Sequence, residues 1–391
     1  MSFLIKYHTS LFSLFFSLVS ISVLGQGISH QLDSIHNLPG TDFEKLSIYQ
    51  DLLDTYTEQE NYTQFGYDAT RLAKWIYMEK KWDEAINLVK AAYKAREIAT
   101  PLDTKQLKIS YYNYARYNKR KGNLNIAISF FKKMLTLDES EYLKGRALYY
   151  IGSSYNLLGD YYKAVEYQKI SFEHFDPTKD LKYIIRTHNA IAVSYRNIRN
   201  TPSARKGIYH LQIADSLLAQ NKKPNKIDQY SVYNNLAAFY TEEINLKDVP
   251  KGISYFNKAL KIAQKEGFKS FLPEIYFNLA IAHLEVDSSI SQLYFDKALK
   301  HSENLPSLIP DIYFGLAIKD VKEQLYLEAQ KDFAITFSYY FGMDKPNIYW
   351  LPKESHMKNI VDKAYFLQIL KEKLKAWILW AQKENNPTYF N

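Results

Sequence analysis

The chain has 391 residues, 47% of them hydrophobic and 24% charged, with a formal net charge of +8. It contains no cysteine, which excludes disulfides, a thiol nucleophile, cysteine-ligated zinc and lipid attachment at a lipoprotein cysteine within this chain. The basic excess favours acidic partners slightly; with no nucleic-acid-binding motif beside it, no nucleic-acid partner is expected.

At the N-terminus, Lys6 and His8 precede an apolar run from Leu11 to Leu24 that leaves through Gly25-Gln26. A short charged start, an apolar stretch and small residues near a polar exit predict a secretory signal over 1–25, cleaved after Gly25. The run falls short of the roughly 20 residues that span a bilayer. An uncleaved N-terminal anchor is the alternative. The expected location is outside the cytoplasm: periplasm, cell envelope or extracellular space. Past this run no segment can span a membrane, since the apolar stretch near Trp377 is broken by Lys371, Glu372, Lys373 and Lys375.

Residues 26–41 are polar, broken by Pro39-Gly40, and form a lead-in. A helix is predicted at about 42–58, where Phe43, Leu46, Tyr49, Leu52, Leu53 and Tyr56 recur at steps of three and four. Beyond it a pattern repeats. Small residues stand at Ala73, Ala115, Gly152, Ala192, Ala237, Ala280 and Ala317, and twelve residues after four of them comes Ala85, Ala127, Ala164 or Ala329. Self-similarity on this scale predicts stacked helical hairpins. Repeat one pairs Thr63–Glu79 with Trp82–Ile98; repeat two covers about 104–137 and turns at Gly122-Asn123; repeat three covers about 141–175. In repeat three, Gly159 allows a left-handed helix end and Asp160 can cap the next helix. In repeats four and five the step lengthens to fifteen, from Ala192 to Gly207 and from Ala237 to Gly252, with Pro202 and Pro250 expected in longer turns. Repeat six, about 271–303, shortens it to eleven, from Ala280 to Ser291; repeat seven covers about 308–341. The solenoid thus runs over 42–341, followed by an irregular loop at 342–355 and a C-terminal region at 356–391. A long helix is predicted there at about 356–384, an incomplete repeat with Trp377 and Trp380 exposed.

The small-residue ladder with Tyr155, Gly159, Tyr161 and Ala164 resembles the tetratricopeptide repeat. That resemblance implies an all-α, right-handed superhelical solenoid of antiparallel helix pairs. Spacings of 37 to 45 between successive small positions exceed the family's period of about 34 and match its long-helix variants. Most repeats also lack the family's tryptophan and closing proline. The export signal, the elongated repeats, and the stretches Leu370–Ala376 and Lys383–Tyr389 resemble the front half of exported bacterial proteins in which a caspase-like CHAT protease follows the repeats. CHAT domains use a His–Cys pair, which a chain without cysteine cannot hold.

No enzyme is expected within the repeats. The 13 glycines are scattered singly, so no phosphate loop can be drawn, and no His-Glu-x-x-His pattern occurs. No cofactor or metal is expected; His283 reads as a packed residue. Adjacent acids such as Glu242-Glu243 diverge by about 100° on a helix and cannot flank one bond.

Binding is expected on the face of the first helices. Repeat two offers Tyr112, Asn113, Arg116, Lys119 and Arg120; repeat three Arg146, Tyr149, Tyr150 and Asn156; repeat four Arg186, Asn189 and Arg196. Asn113, Asn235 and Asn278 occupy one place in three repeats. Arginine forks bind carboxylates bidentately and asparagine amides can bond an extended backbone. An extended, partly acidic peptide or protein segment is therefore the expected ligand, in a groove that turns acidic at Glu242, Glu274, Glu285 and Asp311. The functional expectation is a protein-interaction scaffold or sensing module. Its competitors are the regulatory half of a CHAT-type protease and a structural cell-envelope binding protein. The last helix could also mediate self-association.

Overall fold

In a computed structural model of the protein, the described residues are 51 and 53–384, except 138, 139, 243–245, 345, 346, 361 and 362. The expected leader, the lead-in, most of the helix at 42–58 and the segment 385–391 lie outside them. The chain divides into two compact units, the first ending at His174 and the second beginning at Phe175.

The first unit holds α1 (Tyr62–Met78), α2 (Trp82–Ile98), α3 (Thr104–Lys121), α4 (Leu124–Leu137), α5 (Glu141–Leu157) and α6 (Tyr161–Phe172). The second holds α7 (Leu181–Asn197), α8 (Thr201–Gln220), α9 (Lys226–Glu242), α10 (Val249–Lys265), α11 (Leu272–His283), α12 (Ser288–Lys300), α13 (Ile309–Lys322), α14 (Tyr326–Phe341) and α15 (Lys363–Glu384). Each odd-numbered helix from α1 to α13 packs most extensively on the helix that follows it. The architecture is an all-α, TPR-like array of sequential antiparallel pairs.

Local chemistry sets the helix ends. Asn61, Asp103, Asp160, Asn200, Asp248 and Asp287 each accept a first-turn backbone N–H, at 3.3, 3.0, 3.1, 2.9, 3.1 and 2.9 Å, satisfying donors that a helix start leaves open. At the other end, Gly122 (φ 95°) and Gly159 (φ 83°) take the left-handed conformation that ends α3 and follows α5.

The small residues let paired helices approach. Ala73, Ala115, Ala192, Ala237, Ala280 and Ala317 are fully buried. A Cβ on Gly152 would lie 2.6 Å from Gln168 Cγ and 2.9 Å from the Ala164 carbonyl oxygen, both on α6. In repeat six the short step is bridged directly, with Ser291 Oγ donating to the Ala280 carbonyl at 2.9 Å.

Three local expectations are corrected. Pro202 lies in the first turn of α8, not in a lengthened turn; Ala204, twelve residues after Ala192, is fully buried in the same core and preserves the ordinary step. A proline fits a first helical turn because its missing N–H would have no partner there. The predicted helix start at 356 is a 3-10 segment, Glu354–Asn359, and α15 begins at Lys363. Trp380 is buried and Trp377 half-buried, while the exposed large residues of α15 are Leu367, Leu374 and Ile378. Among the described residues no helix is long and apolar enough to cross a membrane.

Candidate functional site

The expected binding residues fall on the first helices of both units. In the first unit, α3 carries Tyr112, Asn113, Arg116 and Lys119, and α5 carries Arg146, Tyr149 and Asn156. The helices are held at this face by aromatic contacts. Tyr77 of α1 stacks on Tyr117 of α3 with centroids 4.1 Å apart and planes 9° from parallel. Tyr112 of α3 is buried and meets Tyr150 of α5 edge-on at 5.9 Å, and Tyr149 lies edge-on to Tyr150 at 5.1 Å.

The cations of this face rest on rings. The Arg116 guanidinium lies 5.8 Å from the Tyr77 centroid, 5.8 Å from Tyr112 and 5.4 Å from Tyr117. Arg146 lies 4.5 Å over Tyr112, donates to its hydroxyl, and lies 5.3 Å from Tyr142. Arg120 sits 5.9 Å over Trp82. Lys119 is half-buried, and burial, followed by the neighbouring Arg120 charge, lowers its ammonium pKa. Among the described residues Arg116, Lys119 and Arg120 have no carboxylate partner. At positions i, i+3 and i+4 they share one helix face. Asn113 and Asn156 are half-buried on the same two helices.

The second unit uses its polar residues differently. Arg186 Nε of α7 donates to Asp228 Oδ1 of α9 at 2.8 Å. Arg196 Nε lies 3.9 Å from Glu242 Oε2. Asn235 Nδ2 donates to Asn189 Oδ1 at 2.8 Å, and Asn278 Nδ2 to Asn234 Oδ1 at 3.3 Å, forming asparagine rungs across α7, α9 and α11. Burial raises the Glu274 pKa; the Arg196 charge and a bond from Asn234 oppose the rise. The acids expected to line a distinct acidic stretch are also engaged: Glu285 with Lys247 at 2.6 Å, and Asp311 with the Tyr365 hydroxyl at 2.9 Å. In this unit Arg186 and Arg196 thus each lie against a carboxylate, and Glu285 and Asp311 each have a side-chain partner.

Tyr77, Tyr142 and Asp228 belong to these faces and are absent from the expected set. Tyr77 lies four residues after Ala73, the offset that selects Lys119, Asn156 and Arg196 elsewhere. Asp228 sits nine residues before Ala237, beyond the window that those offsets cover. His283 is packed: it is buried, stacks on Tyr294 at 5.5 Å, and its pKa is lowered by that burial. No group of three or more potential metal-ligating side chains comes together among the described residues.

No protein-family model matches the sequence, and no curated protein matches it. Solved structures do. The apo form of RapI is 13% identical with a TM-score of 0.54, over 70% of this chain and 96% of that one. A Rap protein complexed with Competence and Sporulation Factor is 15% identical with a TM-score of 0.51, over 88% of this chain and 97% of that one. NprR in complex with its cognate peptide NprX is 13% identical with a TM-score of 0.52, over 92% of this chain and all of that one (100%). At such identities the likeness is one of fold, and it places this chain among TPR-like helical repeat structures.

Proposed function

We propose that this chain is an exported, non-enzymatic interaction module that binds an extended acidic peptide or protein segment along the first-helix face of its first unit. One observation carries the reading. Arg116, Lys119 and Arg120 share a helix face without a carboxylate partner among the described residues, whereas Arg186 and Arg196 are matched with Asp228 and Glu242. A half-buried cation without a counter-ion is costly to keep, and a ligand carboxylate relieves that cost. Tyrosines around it offer rigid, amphipathic contact area. That NprR was solved with a cognate peptide supports the peptide class of ligand for this fold.

In this reading the organisation is a leader over 1–25, a lead-in over 26–41, the repeat array over 42–341, a link over 342–355 and a terminal helical region over 356–391. Calorimetric titration with a glutamate-rich extended peptide tests the site. Replacing Arg116, Lys119 and Arg120 together by alanine is expected to weaken binding at least tenfold and flatten its salt dependence. Binding that is unchanged in the triple variant removes the proposal. The competing regulatory role beside a CHAT-type protease rests on the resemblance of Leu370–Ala376 and Lys383–Tyr389. A native mass well above that of 391 residues would favour it. Retention on glycan without any protein partner would favour a structural envelope role.

A further inference from the structure

Among the described residues, one face of the last helix is uncovered, and the array shows what such a face receives. In α9 two faces lie one residue apart. Val232, Leu236 and Phe239 pack with Leu211 and Leu218 of the preceding helix α8. Tyr230 and Ala237 pack with Phe256 and Ala259 of the following helix α10. A Cβ on Gly252 of α10 would meet Thr241 Cγ2 at 2.4 Å and the Ala237 carbonyl oxygen at 3.1 Å, so Ala237 and Thr241 mark the face onto which the second helix closes.

The same division is present in α15. Phe366, Ile369 and Ala376 are fully buried with Phe333 and Phe337 of α14, and Gln330 Nε2 of α14 donates to the Lys373 carbonyl at 3.2 Å. One residue further round, Leu367, Leu370, Leu374 and Ile378 line an open trough of about 690 Å³. Leu367, Leu374 and Ile378 are 54%, 38% and 46% exposed. Among the described residues no helix packs extensively on them. Spacings of three and four put them in a single ridge, the pattern of a helix seat. Alanine or glycine at the marked position of the other first helices brings their partners close; leucine-sized residues here suit a partner whose own leucines interdigitate.

Charge decides between occupants. Lys371 and Lys375 flank the trough on one side, and no acidic residue lines it. Lys375 has only an exposed contact to Glu372 at 3.6 Å, and Lys371 has no partner among the described residues. A second copy using the same face would set these lysines against each other, which like charges resist. A helix with acidic residues beside its leucine ridge would meet them favourably.

We propose that the Leu367–Ile378 face of α15 is a docking site for an amphipathic partner helix with leucines at steps of three and four and acidic residues on its flank. This site lies on the second unit and does not rest on the peptide face of the first.

Fluorescence anisotropy with two labelled synthetic helices tests it. Both carry the same leucine ridge, one flanked by glutamates and the other by lysines. The expected result with the full chain is saturable binding of the glutamate helix, at least tenfold tighter than the lysine helix. Leu374→Asp with Ile378→Asp should abolish binding while the thermal midpoint shifts by no more than a few degrees, because both side chains are partly exposed and outside the α14–α15 core. Lys371→Glu with Lys375→Glu should reverse the preference between the probes. Failure of the glutamate helix to bind overturns the proposal, as does binding that survives the aspartate pair or ignores the charge swap. Sedimentation showing that the chain dimerises, with Leu374→Asp dissolving the dimer, would overturn it in favour of a second copy.

Discussion

Arg116 and Arg186 are the same residue type in comparable helices, yet their surroundings assign them different work. Arg186 is bonded to a buried carboxylate, Asp228. Arg186→Ala strands that carboxylate, and is expected to cost about 1–3 kcal/mol in denaturant titration. Ligand binding at the first unit should be unaffected. Arg116 rests on tyrosine rings at 5.4–5.8 Å, near the outer reach of cation–π attraction, and its placement there is worth about 0.5–1 kcal/mol in all. Arg116→Ala should therefore leave the denaturation midpoint nearly in place and weaken acidic-peptide binding. Equal stability losses in the two variants would contradict this division. The sequence shows that both arginines face the same way; it does not show which has an acid opposite, because Asp228 is 42 residues from Arg186 along the chain. That pairing depends on how far α9 slides along α7, a packing outcome that spacing within one helix cannot report.

At the scale of the element, the small position is the main structural device. Gly152 admits α6 so closely that any side chain meets the Ala164 carbonyl oxygen, an atom that cannot rotate away. Gly152→Leu is expected to overpack this contact and cost about 1–3 kcal/mol, read as a lowered melting midpoint. An unchanged melting curve would show that α5 and α6 are not paired in this register. This device was legible because it is local: Gly152 and Ala164 are twelve residues apart, and one helical turn-and-return fixes what they meet. In the α7–α8 pair the sequence suggests a step of fifteen, with Gly207 as the small partner. Gly207 in fact faces the other way, where its added Cβ would lie 2.3 Å from Phe239 Cζ of α9. A small residue says that something comes close, not which neighbour it is. The same limit applies to α15, where the sequence predicts exposed tryptophans and the exposed large residues are Leu367, Leu374 and Ile378.

At the scale of the whole molecule, three groups of the second unit, the half-buried His188 and Asp332 and the fully buried Lys373, show how burial sets titration. His188 contacts His210 Nδ1 to Nδ1 at 2.9 Å; burial and then the His210 charge lower its pKa to about 4. Asp332 is pushed up to about 7, first by burial and then by Asp320 and Glu328. Between about pH 4 and 6.5 these oppose each other: the depressed base makes stability rise with pH, and the elevated acid makes it fall. Above pH 7 the balance is simpler. Lys373 is fully buried, donates to the Ile348 carbonyl at 2.7 Å, lies between the Phe337 and Trp377 rings, and burial lowers its pKa to about 7. The unfolded chain holds that proton to a higher pH, so folding becomes more favourable as pH rises from about 7 toward 10. The contribution is about 3 kcal/mol. Buried tyrosines such as Tyr230, whose pKa is raised by burial, reverse the trend once the unfolded chain's tyrosines ionise. Denaturant titrations at pH 7 and 9.5 should show this gain in the native sequence and its loss in Lys373→Met; an equal gain in both would assign the effect to other groups.

The central claim is that the first-helix face of the first unit takes an acidic peptide. Photo-cross-linking from a glutamate-rich peptide, with the attachment sites mapped by mass spectrometry, tests it most directly. The account predicts attachment on α1, α3 and α5, near Tyr77, Tyr112 and Tyr149, suppressed in the Arg116, Lys119 and Arg120 alanine variant. Attachment concentrated on α2, α4 and α6, or unaltered by that variant, would contradict it.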